Sequence, residues 1–240
     1  MYILVKMWFI LYIVLTCGIS ELTFNYSLIH TLQGEVTKSF STAKTTHTTI
    51  AKFYLKSPNK MLIKCAKPEQ TIILNDSVLW VYFPLDKRAI RKNYAELNDL
   101  EKQILGMESF LGLNPIRGLE GAYEFESQDD STIIAKPKLK GNIISQAIFT
   151  IDPQRSIILR TKLFDLRDSL LSSTYYENWQ KIDSVWLPQK VISETYAGGE
   201  KLREEQSFQH LIVNGEIDEK IFDFTPPEGV KIFEEKEGGG

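Results

Sequence analysis

The sequence predicts a mostly β, α+β fold: a highly curved antiparallel sheet, or unclosed β-barrel, of about 10–11 strands that holds helices on its concave side. Three observations carry this. Short runs of alternating apolar residues recur from residue 53 to residue 213, divided by Asn, Asp, Gly and Pro. In two places, at about 25–42 and 94–111, the apolar residues follow the period of a helix instead. Aromatic residues reach 11%, which suits pleated, half-buried surfaces or an apolar cavity. The 240 residues are 43% hydrophobic and 25% charged, a globular balance that excludes wholesale disorder, collagen and a polytopic membrane protein. Twenty-eight Lys and Arg against thirty-one Asp and Glu give a net charge of -3, which argues against nucleic acid as a partner.

Residues 1–20 read as a signal peptide. Lys6 precedes the apolar run Met7 to Leu15, which is too short for a confident membrane span. Gly18 and Ser20 supply small residues for cleavage before Glu21. Val14-Leu15-Thr16-Cys17 also loosely matches a lipobox, which would make Cys17 the lipidated first residue, and an uncleaved anchor is a third reading. All three place the body of the chain outside the cytoplasm. Residues 21–235 then form a single domain, and 236–240 a flexible Gly-rich tail.

Taken in order, Ile29, Leu32, Val36 and Phe40 form an apolar stripe on an expected helix from roughly 25 to 42. Phe53 and Leu55 then alternate with Tyr54 and Lys56, and Ser57-Pro58-Asn59 makes a turn. Met61, Ile63 and Cys65 alternate with Leu62 and Lys64. Gln70 to Leu74, the turn Asn75-Asp76-Ser77 and Val78 to Phe83 complete an antiparallel meander. Lys87-Arg88, Arg91-Lys92 and Tyr94 admit contact with phosphate or lipid headgroups, with a solvated loop the favoured role. A second helix spans about 94 to 111, opened by Asn93 and Glu96 as a capping box. Its stripe is Leu97, Leu100, Ile104, Met107 and Leu111, and Gly112 and Pro115 end it. Strands resume at Tyr123–Glu126, Thr132–Lys136, Ser145–Ile151, Ser156–Phe164, Ser172–Lys181, Val185–Ser193 and Glu205–Val213.

Chemistry-bearing groups are sparse. His30, His47 and His210 share no metal-ligand spacing, and no nucleophile-elbow, phosphate-loop or dinucleotide motif occurs. No catalytic residue, metal or cofactor is expected, and the chain is not read as an enzyme. With Cys17 in the signal, Cys65 has no partner for an internal disulfide and reads as a small buried residue. Tyr175-Tyr176 and Trp179 admit sugar stacking, with strand core the favoured role. What remains is apolar surface on a sheet and on an inserted helix, which favours binding an apolar ligand over transforming one. Phe53, Leu55, Met61 and Ile63 share one phase across the turn and form the expected apolar ligand-binding surface together with the helix stripe, which the resemblance given below makes a surface for acyl chains. Tyr54, Lys56, Leu62 and Lys64 make the opposite, more polar, outward face. Alternation alone does not tell a cavity face from a filled core.

Several blocks resemble the periplasmic outer-membrane lipoprotein carrier family, LolA. They are Phe53 to Met61 with its Ser57-Pro58-Asn59 turn, Pro68 to Ile73, and Leu79-Trp80-Val81-Tyr82-Phe83-Pro84. They continue through Lys136-Pro137-Lys138, Gly141-Asn142-Ile143 and Phe149-Thr150-Ile151-Asp152 to Phe222-Asp223-Phe224-Thr225-Pro226-Pro227-Glu228-Gly229-Val230. The resemblance spans residues 25 to 232 in family order. It implies an unclosed barrel with a helical lid, formed here by the Leu97 to Leu111 helix. It implies a periplasmic chaperone that takes acylated lipoproteins from an inner-membrane lipoprotein-releasing ABC transporter. That chaperone carries their acyl chains toward the outer membrane, where an acceptor is a further partner. The monomer is the expected state. Met61 falls where the family's transporter contact is often Phe. Ser57 stands where the family often has an Arg that latches the lid, with Arg88 and Arg91 as substitutes. The alternative reading is a periplasmic lipoprotein- or lipid-sensing regulatory protein on the same scaffold.

Overall fold

The computed structural model describes residues 22, 26–94, 115–116, 119, 121–139 and 142–234. The expected signal peptide with Cys17, the cleavage position at Glu21, the lid stripe Leu97, Leu100, Ile104, Met107 and Leu111, and the tail 236–240 lie outside the described residues.

Fourteen strands form one hydrogen-bonded series. They are β1 (Thr31–Ser41), β2 (Thr46–Lys56), β3 (Lys60–Ala66), β4 (Glu69–Asn75), β5 (Val78–Phe83), β6 (Arg88–Asn93), β7 (Tyr123–Asp129) and β8 (Thr132–Pro137). There follow β9 (Ile144–Asp152), β10 (Ile157–Asp165), β11 (Leu170–Ile182), β12 (Val185–Ala197), β13 (Glu200–Val213), a 3-10 turn (Glu219–Phe222) and β14 (Lys231–Glu234). The order is β14-β6-β5-β4-β3-β2-β1-β13-β12-β11-β10-β9-β8-β7, so among the described residues β14 and β7 end the series and the sheet does not close. This is the mostly β, unclosed arrangement that the sequence predicts.

The strand total exceeds the expected one for three reasons. The stripe from Ile29 to Phe40 is strand β1, not a helix. Leu32, Val36 and Phe40 are each four apart, a spacing that puts them on one face of a strand as well as of a helix. Long-range packing decides between the two. A Cβ on Gly34 would lie 2.7 Å from Leu211 Cδ2 and 3.0 Å from the Gln209 carbonyl, an approach that only a bare backbone in an extended strand allows. The basic segment from Arg88 is strand β6 rather than a solvated loop. The Arg88 guanidinium carbon lies over the Phe83 ring, 4.5 Å from its centre, a cation–π contact made along the strand. Finally, β14 pairs in parallel with β6, Lys231 opposite Arg88.

Contacts divide the chain into two compact units. One holds β7–β12 and the first part of β13. Here each strand pairs antiparallel with the next from β7 to β12. Ile133, Phe149 and Thr161 form a cross-strand row that Thr174 and Ser193 extend. Phe149 is fully buried and its ring lies 6.3 Å from that of Phe125. The Thr174 and Ser193 hydroxyls satisfy each other at 3.0 Å. Tyr176 is core, and burial pushes its hydroxyl pKa far up. The other unit holds β1–β6, the rest of β13 and the C-terminal segment. In it, β2 to β5 form the predicted antiparallel meander, joined at Ser57-Pro58-Asn59 and at Asn75-Asp76-Ser77, and β6 extends it. Asp76 takes φ 45°, a left-handed value that Asp tolerates because its short side chain bonds locally.

Candidate functional site

The β2–β3 hairpin presents the four predicted side chains on one face. Register places Phe53 opposite Ile63 and Leu55 opposite Met61. Phe53 and Leu55 are 0% exposed, and Met61 and Ile63 are 2% exposed. The adjoining strand continues the face, with Leu74 opposite Met61 and Ile72 opposite Ile63. Met61 is therefore part of this buried face, and its thioether does not reach solvent.

Two features beyond the hairpin shape this face. The Phe53 and Phe208 rings meet edge-to-face, 6.4 Å apart at 88°, across the position of Gly34. A Cβ on Gly34 would lie 3.2 Å from Phe53 Cζ, so the missing side chain leaves the room that these rings use. His210, with φ 54°, then interrupts the alternation of β13. Gln206 and Phe208 point inward before it and Val213 after it, with Gln209 and His210 both outside. One extra residue at such a bulge lets a long strand keep its apolar residues on one side.

The opposite face corrects the sequence reading. Tyr54 and Leu62 are not on a polar, outward surface. Leu62, Ile73 and Phe222 form a second buried cluster, with Tyr54, Trp80, Ile217, Ile221 and Phe224 packed against it. Leu62 sits directly opposite Ile73, and Ile73 opposite Trp80, so the cluster runs across β3, β4 and β5. The C-terminal segment covers it. Phe224 packs on the Trp80 and Tyr82 rings at 5.6 and 5.4 Å. Polar contacts pin the segment's edges. Glu219 accepts from Lys56 Nζ at 2.5 Å and from Lys60 Nζ at 2.6 Å, and Asn75 Nδ2 donates to Asp223 at 3.2 Å. The two ammonium groups hold the Glu219 carboxyl at about 2. A single alternating strand gives no sign of this cover, because the partner lies more than 150 residues away; the apolar residues Ile217, Ile221, Phe222 and Phe224 are the signal that carried it.

Ser57 donates its backbone N–H to the His30 carbonyl at 2.8 Å. Arg91, named with Arg88 as a replacement latch, lies 5.9 Å from the Trp80 ring centre and bonds Glu234 at 3.2 Å on β14. Arg88 also pairs with Asp86 at 3.5 Å. Cys65 is half-buried and accepts from Gln70 Nε2 at 3.7 Å, and burial pushes its thiol pKa up. That direction keeps the sulfur protonated and a poor nucleophile. His47 and His210 are exposed on β2 and β13, with His210 3.7 Å from Glu35. Tyr175 stacks under Arg160 at 4.5 Å, and Trp179 donates its indole N–H to the Tyr176 carbonyl. Among the described residues, no group of three or more His, Cys, Asp and Glu is placed to hold a metal ion. The arrangement is suited to apolar contact, with hydrocarbon on one face of the hairpin and a strapped aromatic cluster on the other.

No protein-family model matches the chain, and no curated protein matches it. Among solved structures, the chain is similar to a DUF1329 family protein from Desulfovibrio piger, with TM-score 0.62 and 16% identity over 87% of this chain and 97% of that one. It is similar to a LolA superfamily protein from Nitrosomonas europaea, with TM-score 0.57 and 16% identity over 86% and 97%. It is also similar to a putative outer membrane lipoprotein-sorting protein domain from Vibrio parahaemolyticus, with TM-score 0.57 and 13% identity over 87% and 97%. The fold is LolA-like.

Proposed function

We propose that the protein is a periplasmic lipoprotein carrier that shields acyl chains on the Phe53, Leu55, Met61 and Ile63 face. The observation behind this reading is the in-register apolar quartet of β2 and β3 on a LolA-like fold. Each methylene kept from water is worth roughly 0.8 kcal/mol, so a multiply acylated protein crosses an aqueous space only inside an apolar shield. Phe, Leu, Met and Ile offer no polar group that would fix one chain geometry, and Met adapts to irregular shapes. The quartet is closed to solvent, so an acyl chain enters by replacing side-chain packing rather than by displacing water. Apolar contact is thus exchanged for apolar contact, which lets the carrier load and unload without a covalent step. In this reading the protein is not an enzyme and needs no cofactor. An inner-membrane ABC transporter supplies the acylated lipoproteins, and an outer-membrane acceptor receives them. The segment with Leu97, Leu100, Ile104, Met107 and Leu111 serves as the lid.

The test is displacement of a fluorescent fatty acid from folded variants. Ile63→Glu sets a charge against hydrocarbon and should abolish probe binding. Lys64→Glu, at an exposed position of the same strand, should bind as the wild type does. Equal binding by both variants, or a wild type that takes up no probe, contradicts the carrier reading. Incubation with inner-membrane vesicles should also release a soluble lipoprotein complex.

A further inference from the structure

The two ends of the β7–β12 meander differ in a way that turn chemistry does not require. One end carries the turns Asp129-Asp130-Ser131, Asp152-Pro153-Gln154-Arg155-Ser156 and Asp183-Ser184. These are polar residues of the kind that bond their own backbone, and Asp129 and Asp152 do so. The other end carries Leu139 and Ile143 in the β8–β9 turn, Leu166 in the β10–β11 turn and Tyr196 before the β12–β13 turn. Leu139 is 77% exposed, Ile143 79% and Leu166 71%, and Tyr196 is exposed as well. All the exposed large hydrophobic residues described in this unit are thus at one end.

Register brings these turns together. Ile144 pairs with Asp165, so Ile143 and Leu166 stand just past the same rung of neighbouring strands. Ser145 Oγ bonds the Phe164 and Asp165 carbonyls, and Tyr123 Oη donates to the Ile144 carbonyl, which fixes the tips. Asn142 Nδ2 donates to the Leu139 carbonyl at 3.2 Å, folding Leu139 and Ile143 into one turn. Scattered exposed Leu residues need no explanation, but a segregated set marks an interaction surface. The side chains stand on separate turn tips, which suits insertion into a fluid layer better than the seating of a peptide.

Charge follows the same axis. Lys138 adjoins Leu139 and is held by the Gly121 carbonyl at 3.0 Å, and Arg167 adjoins Leu166. The Asp165 carboxylate accepts the backbone N–H groups of Arg167 and Ser169 at 2.7 and 2.8 Å, so its charge is engaged by its own turn. Asp168 lies beside Arg167, Lys201 is paired with Glu194, and Glu200 is exposed at the β12–β13 turn, so this end is mixed in charge where the opposite end is acidic. The opposite end has Asp129, Asp130, Asp152 and Asp183, with Arg155 bonded to Asp152.

We propose that the Leu139, Ile143 and Leu166 end of this meander docks on a bilayer bearing anionic headgroups, the three aliphatic side chains entering the acyl region while Lys138 and Arg167 meet lipid phosphates. Interfacial binding of this kind scales with buried apolar area plus attraction to anionic lipid. Tyr196 supplies an amphipathic ring at headgroup level. The surface goes beyond the carrier reading, and vesicles free of lipoprotein test it without reference to the β2–β3 face.

The exported protein is sedimented with phosphatidylglycerol–phosphatidylethanolamine vesicles and with phosphatidylcholine vesicles. The wild type should prefer the anionic vesicles. Leu139→Ser, Ile143→Ser and Leu166→Ser combined should weaken partition at least about tenfold, and Lys138→Glu with Arg167→Glu should remove the anionic preference. The indole introduced by Leu166→Trp should be quenched by lipids brominated in their acyl chains. A triple variant that partitions as the wild type does, or an indole that brominated lipids do not quench, overturns the proposal. So does a wild type that binds neither vesicle, an outcome that points to a protein partner instead. An N-terminal anchor would hold every variant on the vesicles alike, and the quenching result then decides.

Discussion

Gly34 shows how one residue without a side chain organises its neighbours. It lies in β1 where Leu211, the Gln209 carbonyl and Phe53 all approach, and one of these contacts is backbone that cannot rotate away. Gly34→Ala should therefore destabilise the protein by about 1–3 kcal/mol, as overpacking does. Urea denaturation followed by tryptophan fluorescence measures it, and an unchanged midpoint would show that β13 yields. Cys65 makes the converse case. Its half-buried thiol, with its pKa raised by burial, accepts from the Gln70 amide. Cys65→Ser should cost no more than about 1–2 kcal/mol and leave fatty-acid binding intact. Loss of binding with the fold preserved would assign the thiol a role. At this scale the sequence is partly legible. The shared phase of Phe53, Leu55, Met61 and Ile63 is read correctly, because strand alternation is local and the turn between them fixes their register. The helix drawn through Ile29, Leu32, Val36 and Phe40 is wrong, because a four-residue spacing is even and fits both periods. The Gly34 contacts that decide the matter come from residues in β2 and β13.

Among the elements, the C-terminal segment does most to explain the β3–β5 surface. Its apolar residues close over Leu62 and Ile73, and Glu219 clamps its start to Lys56 and Lys60. The pH response of that clamp has a definite sign. The Glu219 carboxyl is depressed from its ordinary 4.5 to about 2 by the two ammonium groups. Its stabilising contribution is therefore complete above pH 4.5 and is lost as pH falls from there through about 2. Glu219→Gln should lower the urea midpoint at pH 7, and the gap from wild type should close as the pH falls through that window. A gap that stays constant from neutral pH to pH 2 would show that the clamp is not electrostatic. Hairpin turns were legible at this scale, since Ser57-Pro58-Asn59 and Asn75-Asp76-Ser77 act through their own backbone preferences. The cover on Tyr54 and Leu62 was not, because a residue's burial depends on what folds back over it, and the bulge at His210 was hidden for the same reason.

For the whole molecule, the sequence made the unclosed, mostly β arrangement legible through its alternating runs and turn residues, and the strand order bears it out. The edges β14 and β7 lay beyond local patterning, since pairing partners are chosen over long separations. The functional account rests on a division of the β2–β5 surface into two apolar faces. One is strapped by the C-terminal segment, and the other presents Phe53, Leu55, Met61 and Ile63. A carrier must offer one of these to lipid, and the strapped face is already occupied by Phe222 and Phe224. Photocrosslinking with a fatty acid that carries a diazirine at its acyl end tests this most directly, with adducts located by peptide mass spectrometry. The account predicts adducts within β2 and β3 between Ala51 and Cys65, competed away by unlabelled fatty acid. Adducts confined to other segments, or none at all, would contradict it.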